Sequence, residues 1–141
     1  MPNKNLLTLC FPTFNRKQII SELIHSLVEA GVNNIADILI IDDGSKDGTY
    51  QALMQFSSYK NIQVLSNESN LGYARTFMKC FDESKTEYLI MCTDDDTFSK
   101  DGVLQILEEI HSQKPDFIST TFNTSESTRK FNRISEISFL D

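Results

Sequence analysis

Short apolar runs alternate with helical patterns along this chain, and that alternation constrains its fold more than any other feature. Leu6–Phe11 reads as a strand. Lys17–Ala30 carries Ile19, Ile20, Leu23, Leu27 and Val28 at helical spacing and stops at Gly31, a residue type that commonly follows a helix end. Asp37–Ile41 is a short aliphatic run, the pattern of a strand covered on both faces. A helix over Asp47–Ser57, with Tyr50, Leu53, Met54 and Phe56 turned inward, leads to a strand over Asn61–Ser66. Tyr73–Ser84 follows as a helix with Ala74, Phe77, Met78 and Phe81 as its apolar stripe. Tyr88–Cys92 is a strand, and Asp101–Ser112 a helix with Val103, Leu104, Ile106, Leu107 and Ile110 on one stripe. Asp116–Phe122 reads as another strand, Asn123–Lys130 as a polar loop, and Phe131–Asp141 as a last alternating arm. Such a βαβα order predicts an α/β fold built on a mostly parallel sheet with right-handed crossovers and helices on its faces.

The chain of 141 residues is the size of one domain, and 40% hydrophobic residues suffice for a core. A net charge of −7 argues against non-specific nucleic-acid binding, which needs a basic face. No apolar run approaches the roughly 20 residues that span a bilayer. Leu6–Phe11 is too short for a signal peptide, and Pro-Thr-Phe-Asn-Arg follows it instead of a small-residue cleavage site. Cys10, Cys80 and Cys92 are odd in number and widely spaced, which gives neither a disulfide framework nor a zinc site. They are expected to be small apolar filler in a reducing, cytoplasmic setting. His25 and His111 lack partners at ligand spacing and read as structural or surface residues.

Function is expected where strands end. Asp94, Asp95 and Asp96 stand in sequence directly after the strand Tyr88–Cys92. Three adjacent carboxylates repel, and folding does not ask for them there. A divalent cation would turn that repulsion into a site, and Mg²⁺ or Mn²⁺ suits hard oxygen ligands. A solvated acidic loop that caps the next helix is the plainer reading. Three more strand ends carry unusual polar residues. In Phe11-Pro-Thr-Phe-Asn-Arg16, Pro12 is expected to end the strand, with Thr13 and Asn15 as turn and cap residues. In Ile40-Ile-Asp-Asp-Gly-Ser-Lys-Asp-Gly-Thr49, Gly44 and Gly48 allow a tight backbone and Ser45 or Asp47 can cap the helix. The pair Asp42-Asp43 lacks such an explanation, and a nucleobase N–H or ribose hydroxyl would supply a buried carboxylate with its donor. In Asn67-Glu-Ser-Asn-Leu-Gly-Tyr-Ala-Arg75, Asn70 and Gly72 open a helix whose N-terminus could face an anion, with Arg75 one turn in. A parallel sheet brings all four loops to one edge, where open α/β sheets bind ligands.

In their order and spacing, Phe11–Arg16, Ile40–Thr49, Asn70–Arg75 and Tyr88–Asp96 resemble the nucleotide-sugar-binding half of family 2 glycosyltransferases, over roughly residues 5 to 120. The resemblance implies the A-type glycosyltransferase fold, a Rossmann-like sheet flanked by helices. It implies that residues 1–141 form a single domain that binds a nucleoside-diphosphate sugar, without the acceptor-binding portion, as the front part of a longer protein. Pro12, Thr13 and Asn15 would line the nucleoside pocket. Asp43 would bind the base, typically uracil or thymine. Gly72 to Arg75 would lie beside base and diphosphate. The triplet matches the family's Asp-x-Asp motif, with Asp94 on the ribose and Asp95 on the metal, and with Asp96 able to replace either. The implied chemistry is sugar transfer from a UDP- or TDP-linked donor to an acceptor hydroxyl with Mg²⁺ or Mn²⁺, in cell-surface polysaccharide biosynthesis. The acceptor would be a glycan or lipid-linked saccharide. The catalytic base would lie beyond this chain, since Glu126, Glu136 and Asp141 are too close to the triplet to be assigned the role. The setting would be the cytoplasm, or the inner face of the membrane through missing parts or partners.

Two rivals remain at this point. A non-catalytic nucleotide-sugar-binding module would bind donor without transfer. A phosphoacceptor receiver domain would use Asp42-Asp43 as its acidic pair, but a complete βα unit precedes that pair and the essential downstream Lys would fall past the last residue. The absence of Gly-x-Gly-x-x-Gly after the first strand argues against a dinucleotide oxidoreductase.

Overall fold

The computed structural model describes residues 4–116 and residue 118. The chain divides into two compact units, Met1–Leu107 and Glu108–Asp141. The strand expected over Asp116–Phe122 lies outside the described residues, apart from a bend at Asp116 and the lone Ile118, and the loop and arm expected after it lie outside them entirely.

Four strands form one parallel sheet: β1 (Leu7–Thr13), β2 (Asp37–Asp42), β3 (Ile62–Ser66) and β4 (Tyr88–Met91), in the order β3-β2-β1-β4. Helix α1 (Lys17–Glu29) joins β1 to β2, α2 (Thr49–Leu53) joins β2 to β3, and α3 (Tyr73–Glu83) joins β3 to β4. Helix α4 (Lys100–Gln113) follows β4. The chain steps outward from β1 to β3 and then returns across β1 to lay down β4. Right-handed crossovers therefore put α1 and α2 on one face and α3 on the other. The direction of winding reverses between β1 and β4, and the carboxyl ends of those two strands frame the crevice where such sheets take ligands.

β1 is buried over its full length, and β2 over all but Asp37, as the continuous apolar character of both predicts. Alternate residues serve opposite faces. Cys10, Leu39 and Ile41 face Cys80 of α3, with Leu65, Leu89 and Met91 packed around them. Leu7, Leu9, Phe11, Ile38 and Ile40 fall in the other phase and are fully buried or nearly so, as are Ile20, Leu23, Ile24 and Leu27 of α1.

Four local expectations are corrected. Pro12 does not end β1, which runs to Thr13 with Pro12 opposite Ile41. The carbonyl of Cys10 accepts the Cys92 N–H on the β4 side, so the nitrogen of Pro12, two residues on, faces the same side. There β4 has already ended, and the missing donor costs nothing. The helix expected over Asp47–Ser57 is only one turn of α-helix and tightens to a 3₁₀ turn at Met54–Phe56, which leaves Met54 exposed while Leu53 and Phe56 stay buried. In α3 the buried residues are Thr76 and Cys80, while Met78 and Phe81 are exposed. Small residues let α3 approach the sheet closely, and Tyr73, Phe77 and Phe81 stack along the flank with ring centroids 5.8 and 5.5 Å apart. Finally, Cys10 and Cys80 are joined as a disulfide, and Cys92 is a buried free thiol. Partners 70 residues apart are invisible to local spacing. His25 fits its expected surface role, 3.2 Å from Glu29 one turn on. Among the described residues, no helix is long and apolar enough to cross a membrane.

Candidate functional site

Thr13, the last residue of β1, holds two neighbouring loops. Its carbonyl accepts the Asp43 N–H (2.8 Å), and its hydroxyl donates to Asp94 Oδ2 (3.0 Å). One residue at the end of the central strand thus ties the loop after β2 to the loop after β4, across the winding reversal.

Asn15 follows with φ of 51°, in the left-handed region that Asn tolerates better than most residues. It does not cap α1. Its N–H donates to Ser45 Oγ (2.8 Å), and its Oδ1 accepts the Lys46 N–H (2.9 Å). The Lys17 N–H reaches Asp47 Oδ2 (3.2 Å), and the other oxygen of Asp47 accepts the N–H and hydroxyl of Thr49. The bond from the Thr49 hydroxyl above all, with those from the Lys17 and Thr49 N–H groups, outweighs burial and holds the Asp47 carboxyl below its usual range. The strand-end turn is thus clamped to the loop after β2, and that clamp sets where the next residue, Arg16, projects.

Asp42 and Asp43 prove to have structural partners, against the sequence expectation. Asp42 accepts the N–H and hydroxyl of Ser45, with the Ser66 hydroxyl at 3.3 Å. Asp43 accepts from Asn67 Nδ2 (2.9 Å), the Leu71 N–H (2.8 Å) and the Gly72 N–H (3.0 Å). Burial pushes the Asp43 carboxyl up, but the donors from Leu71, Asn67, Thr76 and Gly72 together outweigh it and hold the group below its ordinary value. The anion expected at the start of α3 is therefore the protein's own Asp43. Asn67 was not singled out by its sequence context. It is buried, bonds Thr76 (3.0 Å) and accepts from Lys79 Nζ (2.7 Å), which links Asp43 to the body of α3.

Two glycines are required here. Gly72 has φ 87° and ψ 156°, a region essentially reserved for glycine. Gly44 has φ 71°, and a Cβ on it would sit 2.6 Å from the Ser69 carbonyl carbon and 2.8 Å from the Asn70 nitrogen. Those are backbone atoms that cannot swing away. Gly44→Ala is expected to cost about 2–4 kcal/mol in urea unfolding, from left-handed strain plus overpacking. A loss under about 1 kcal/mol would mean that the loops need not touch.

The acidic triplet splits in two. Asp94 is 13% exposed at its side chain and Asp95 61%. Arg16 Nη1 lies 3.5 Å from Asp94 and 3.6 Å from Asp95. Asp96 turns back and accepts the Thr93 hydroxyl, and its charge reinforces the burial that drives the Cys92 thiol far up. Phe98 packs edge-on against Phe11 with centroids 5.6 Å apart, which anchors the loop to β1. Among the described residues, no group of three or more His, Cys, Asp or Glu side chains is placed to hold a metal. Asp94 and Asp95 as a pair still fit Mg²⁺ or Mn²⁺, since such ions commonly take one or two carboxylates and complete their shell with substrate phosphates and water.

The structure thus brings Pro12, Thr13, Asn15, Asp43, Gly72, Asp94 and Asp95 to one rim, with Arg75 exposed on the first turn of α3. It draws Asp96 into a local turn. Sequence reasoning quoted Arg16 and Phe14 within their motif but gave neither a role. Phe14 is an exposed aromatic ring between two rim residues.

The family described as Glycosyl transferase family 2 matches residues 8–139. The chain belongs to glycosyl transferase family 2. Among curated relatives of this family 2 chain, the abequosyltransferase RfbV of Salmonella typhimurium is 29% identical over 77% of the chain and 33% of the relative. The putative teichuronic acid biosynthesis glycosyltransferase TuaG of Bacillus subtilis is 28% identical over 74% of the chain and 42% of the relative. The family 2 chain therefore spans about a third to two fifths of the length of these relatives. Its fold is that of solved glycosyltransferase structures. The S. aureus TarS 1-349 structure in complex with UDP-GlcNAc superimposes with a TM-score of 0.69 at 21% identity, covering 88% of the chain and 37% of TarS. The mannosyltransferase PcManGT from Pyrobaculum calidifontis, in complex with GDP-Man and Mn²⁺, gives 0.68 at 16% identity over 79% and 34%. The A-type glycosyltransferase sheet read from the sequence is the observed one. The receiver reading falls, since the triplet meets Thr13 of β1 and not the acidic pair of β2.

Proposed function

We propose that this chain is the donor-binding part of a glycosyltransferase that moves a sugar from a UDP- or TDP-linked donor to an acceptor hydroxyl with Mg²⁺ or Mn²⁺. The observation that carries the reading is the Thr13–Asp94 bond, which joins the two strand ends flanking the winding reversal. Relatives that transfer sugars, and structural neighbours that bind UDP-GlcNAc or GDP-Man with Mn²⁺, support it.

In this reading Pro12, Thr13 and Asn15 form one wall of the nucleoside pocket, and Phe14 offers a ring face on which a base can stack. Asp43 meets the base N–H by sharing an oxygen with its own loop donors. Gly72 and Arg75 flank base and diphosphate. Asp94, already half committed to Thr13, suits a ribose hydroxyl, while the more exposed Asp95 suits the cation. Asp96 is the reserve ligand and must leave Thr93 to serve. The bound cation would stabilise charge on the departing diphosphate. The catalytic base is unassigned, and Glu126, Glu136 and Asp141 lie outside the described residues. The acceptor is proposed to be a glycan or lipid-linked saccharide, in cell-surface polysaccharide synthesis on the cytoplasmic side of the membrane.

The test is thermal unfolding with nucleoside diphosphates. UDP or TDP at about 100 times its dissociation constant stabilises by about 2.7 kcal/mol, which is several degrees in Tm. That shift should require Mn²⁺ or Mg²⁺ and should vanish in Asp95→Ala. A shift of equal size with EDTA present would defeat the metal assignment. Binding without transfer or donor hydrolysis would favour a non-catalytic module.

A further inference from the structure

Arg16 carries an inference that rests on the donor-site reading and goes beyond it. Asp94 is largely buried, its Oδ2 takes one hydrogen bond from Thr13, and Asp95 stands beside it in the chain. The positive charge that answers this pair is Arg16, itself 44% exposed. The geometry of that answer is loose. One nitrogen, Nη1, serves both carboxylates at 3.5 and 3.6 Å. A guanidinium that grips a carboxylate does so through two parallel bonds near 2.8 Å. The contact is therefore charge attraction without a fixed bond, and it is easily given up. Arg16 is kept there by the backbone, because Asn15 and Lys17 on either side are bonded to Ser45, Lys46 and Asp47.

We propose that Arg16 is a displaceable counter-cation that screens Asp94 and Asp95 in the donor-free protein and makes divalent-cation binding depend on the donor's diphosphate. A cation arriving alone meets a guanidinium of its own sign beside the same two carboxylates. A diphosphate arriving with it offers Arg16 a new anion, and phosphate is a favoured partner of the guanidinium fork. Cation and nucleotide then promote each other's binding, and linkage makes the effect equal in both directions. Arg16 is a positioning residue in this scheme and takes no part in bond making.

The test uses the 141-residue chain and Mn²⁺, with unbound Mn²⁺ read by electron paramagnetic resonance with and without UDP. In Arg16→Ala without nucleotide, Mn²⁺ should bind about fivefold tighter than in the parent, the scale of one exposed ion pair. The factor by which UDP improves Mn²⁺ binding should shrink by a similar amount. Arg16→Lys should restore both values toward the parent. A merely structural role for Arg16 predicts weaker metal binding on its removal, so a gain is diagnostic. Unchanged or weaker Mn²⁺ binding in Arg16→Ala, with the parent still binding Mn²⁺ in the presence of UDP, would overturn the proposal and leave the donor site standing. No Mn²⁺ binding by the parent with UDP, nor by the variant alone, would sink both.

Discussion

Asp43→Ala should lower the unfolding free energy by about 3 kcal/mol and abolish nucleotide binding together. A residue used for base recognition alone would leave the fold untouched when truncated. Asp43 instead accepts from Asn67, Leu71 and Gly72, and its removal strands one N–H of the buried Asn67 amide, which keeps Thr76 and Lys79, and the backbone N–H of Leu71. Gly72 keeps Asn70 Oδ1 at 2.9 Å, which limits the damage at that position. Asp43→Asn keeps one acceptor but turns an NH₂ group toward donors, so it should recover only part of the loss. The pH dependence has a defined sign. The folded carboxyl titrates below its ordinary 3.8, so its contribution is fully present above pH 3.8 and fades as pH falls through the lower folded value. The gap between parent and Asp43→Ala should be constant near neutrality and close only in strong acid. An unfolding free energy in urea within about 1 kcal/mol of the parent at pH 7 would show that the loop does not need the carboxylate.

Phe11→Ala should cost more, about 3–5 kcal/mol, the usual range for deleting a fully buried phenyl ring. Phe11 has no exposure and lies in the central strand. Its loss should lower Tm by on the order of 10 °C. It also removes the edge-on partner of Phe98, which stands two residues past the triplet. Any stabilisation by UDP with Mn²⁺ should therefore fall in the same variant. Phe98→Ala separates the two effects, because Phe98 is only half-buried. It should unfold nearer to the parent and yet lose the ligand-dependent shift. Retention of the full shift in Phe98→Ala would show that the triplet loop is held by other means.

The sheet was legible because period and composition report burial directly. The aliphatic run Ile38 to Ile41 reads as a strand covered on both sides, and β1 and β2 are buried strands of that kind. The four polar strand ends were legible because a parallel sheet aligns them whatever lies between. Bonds between the loops were not. Asp43 looked unexplained because Asn67 and Gly72 stand 24 and 29 residues downstream and no local pattern joins them, whereas Asp42 has a local partner in Ser45 and only its Ser66 contact is distant. The Cys10–Cys80 pairing was hidden for the same reason, at greater range. In α3 the apolar count pointed to Phe77, Met78 and Phe81, while the sheet took the side bearing Thr76 and Cys80. Hydrophobicity alone does not reveal how close a helix must come. The role of Arg16 needed coordinates, since only the clamp on Asn15 decides which way it projects.

That bracing has an energetic consequence. The turns after β1, β2 and β3 are bonded to one another by the protein's own groups: Asn15 to Ser45 and Lys46, and Asp43 to Leu71 and Gly72. A nucleoside entering among them meets walls already set, and little configurational freedom is surrendered on that side. The segment after β4 is held more sparsely, by the Thr13–Asp94 hydrogen bond, the loose Arg16 ion pair and one aromatic contact. Whatever entropy is lost on association should be concentrated there, which makes Asp94 to Phe98 the adaptable jaw of an otherwise rigid clamp.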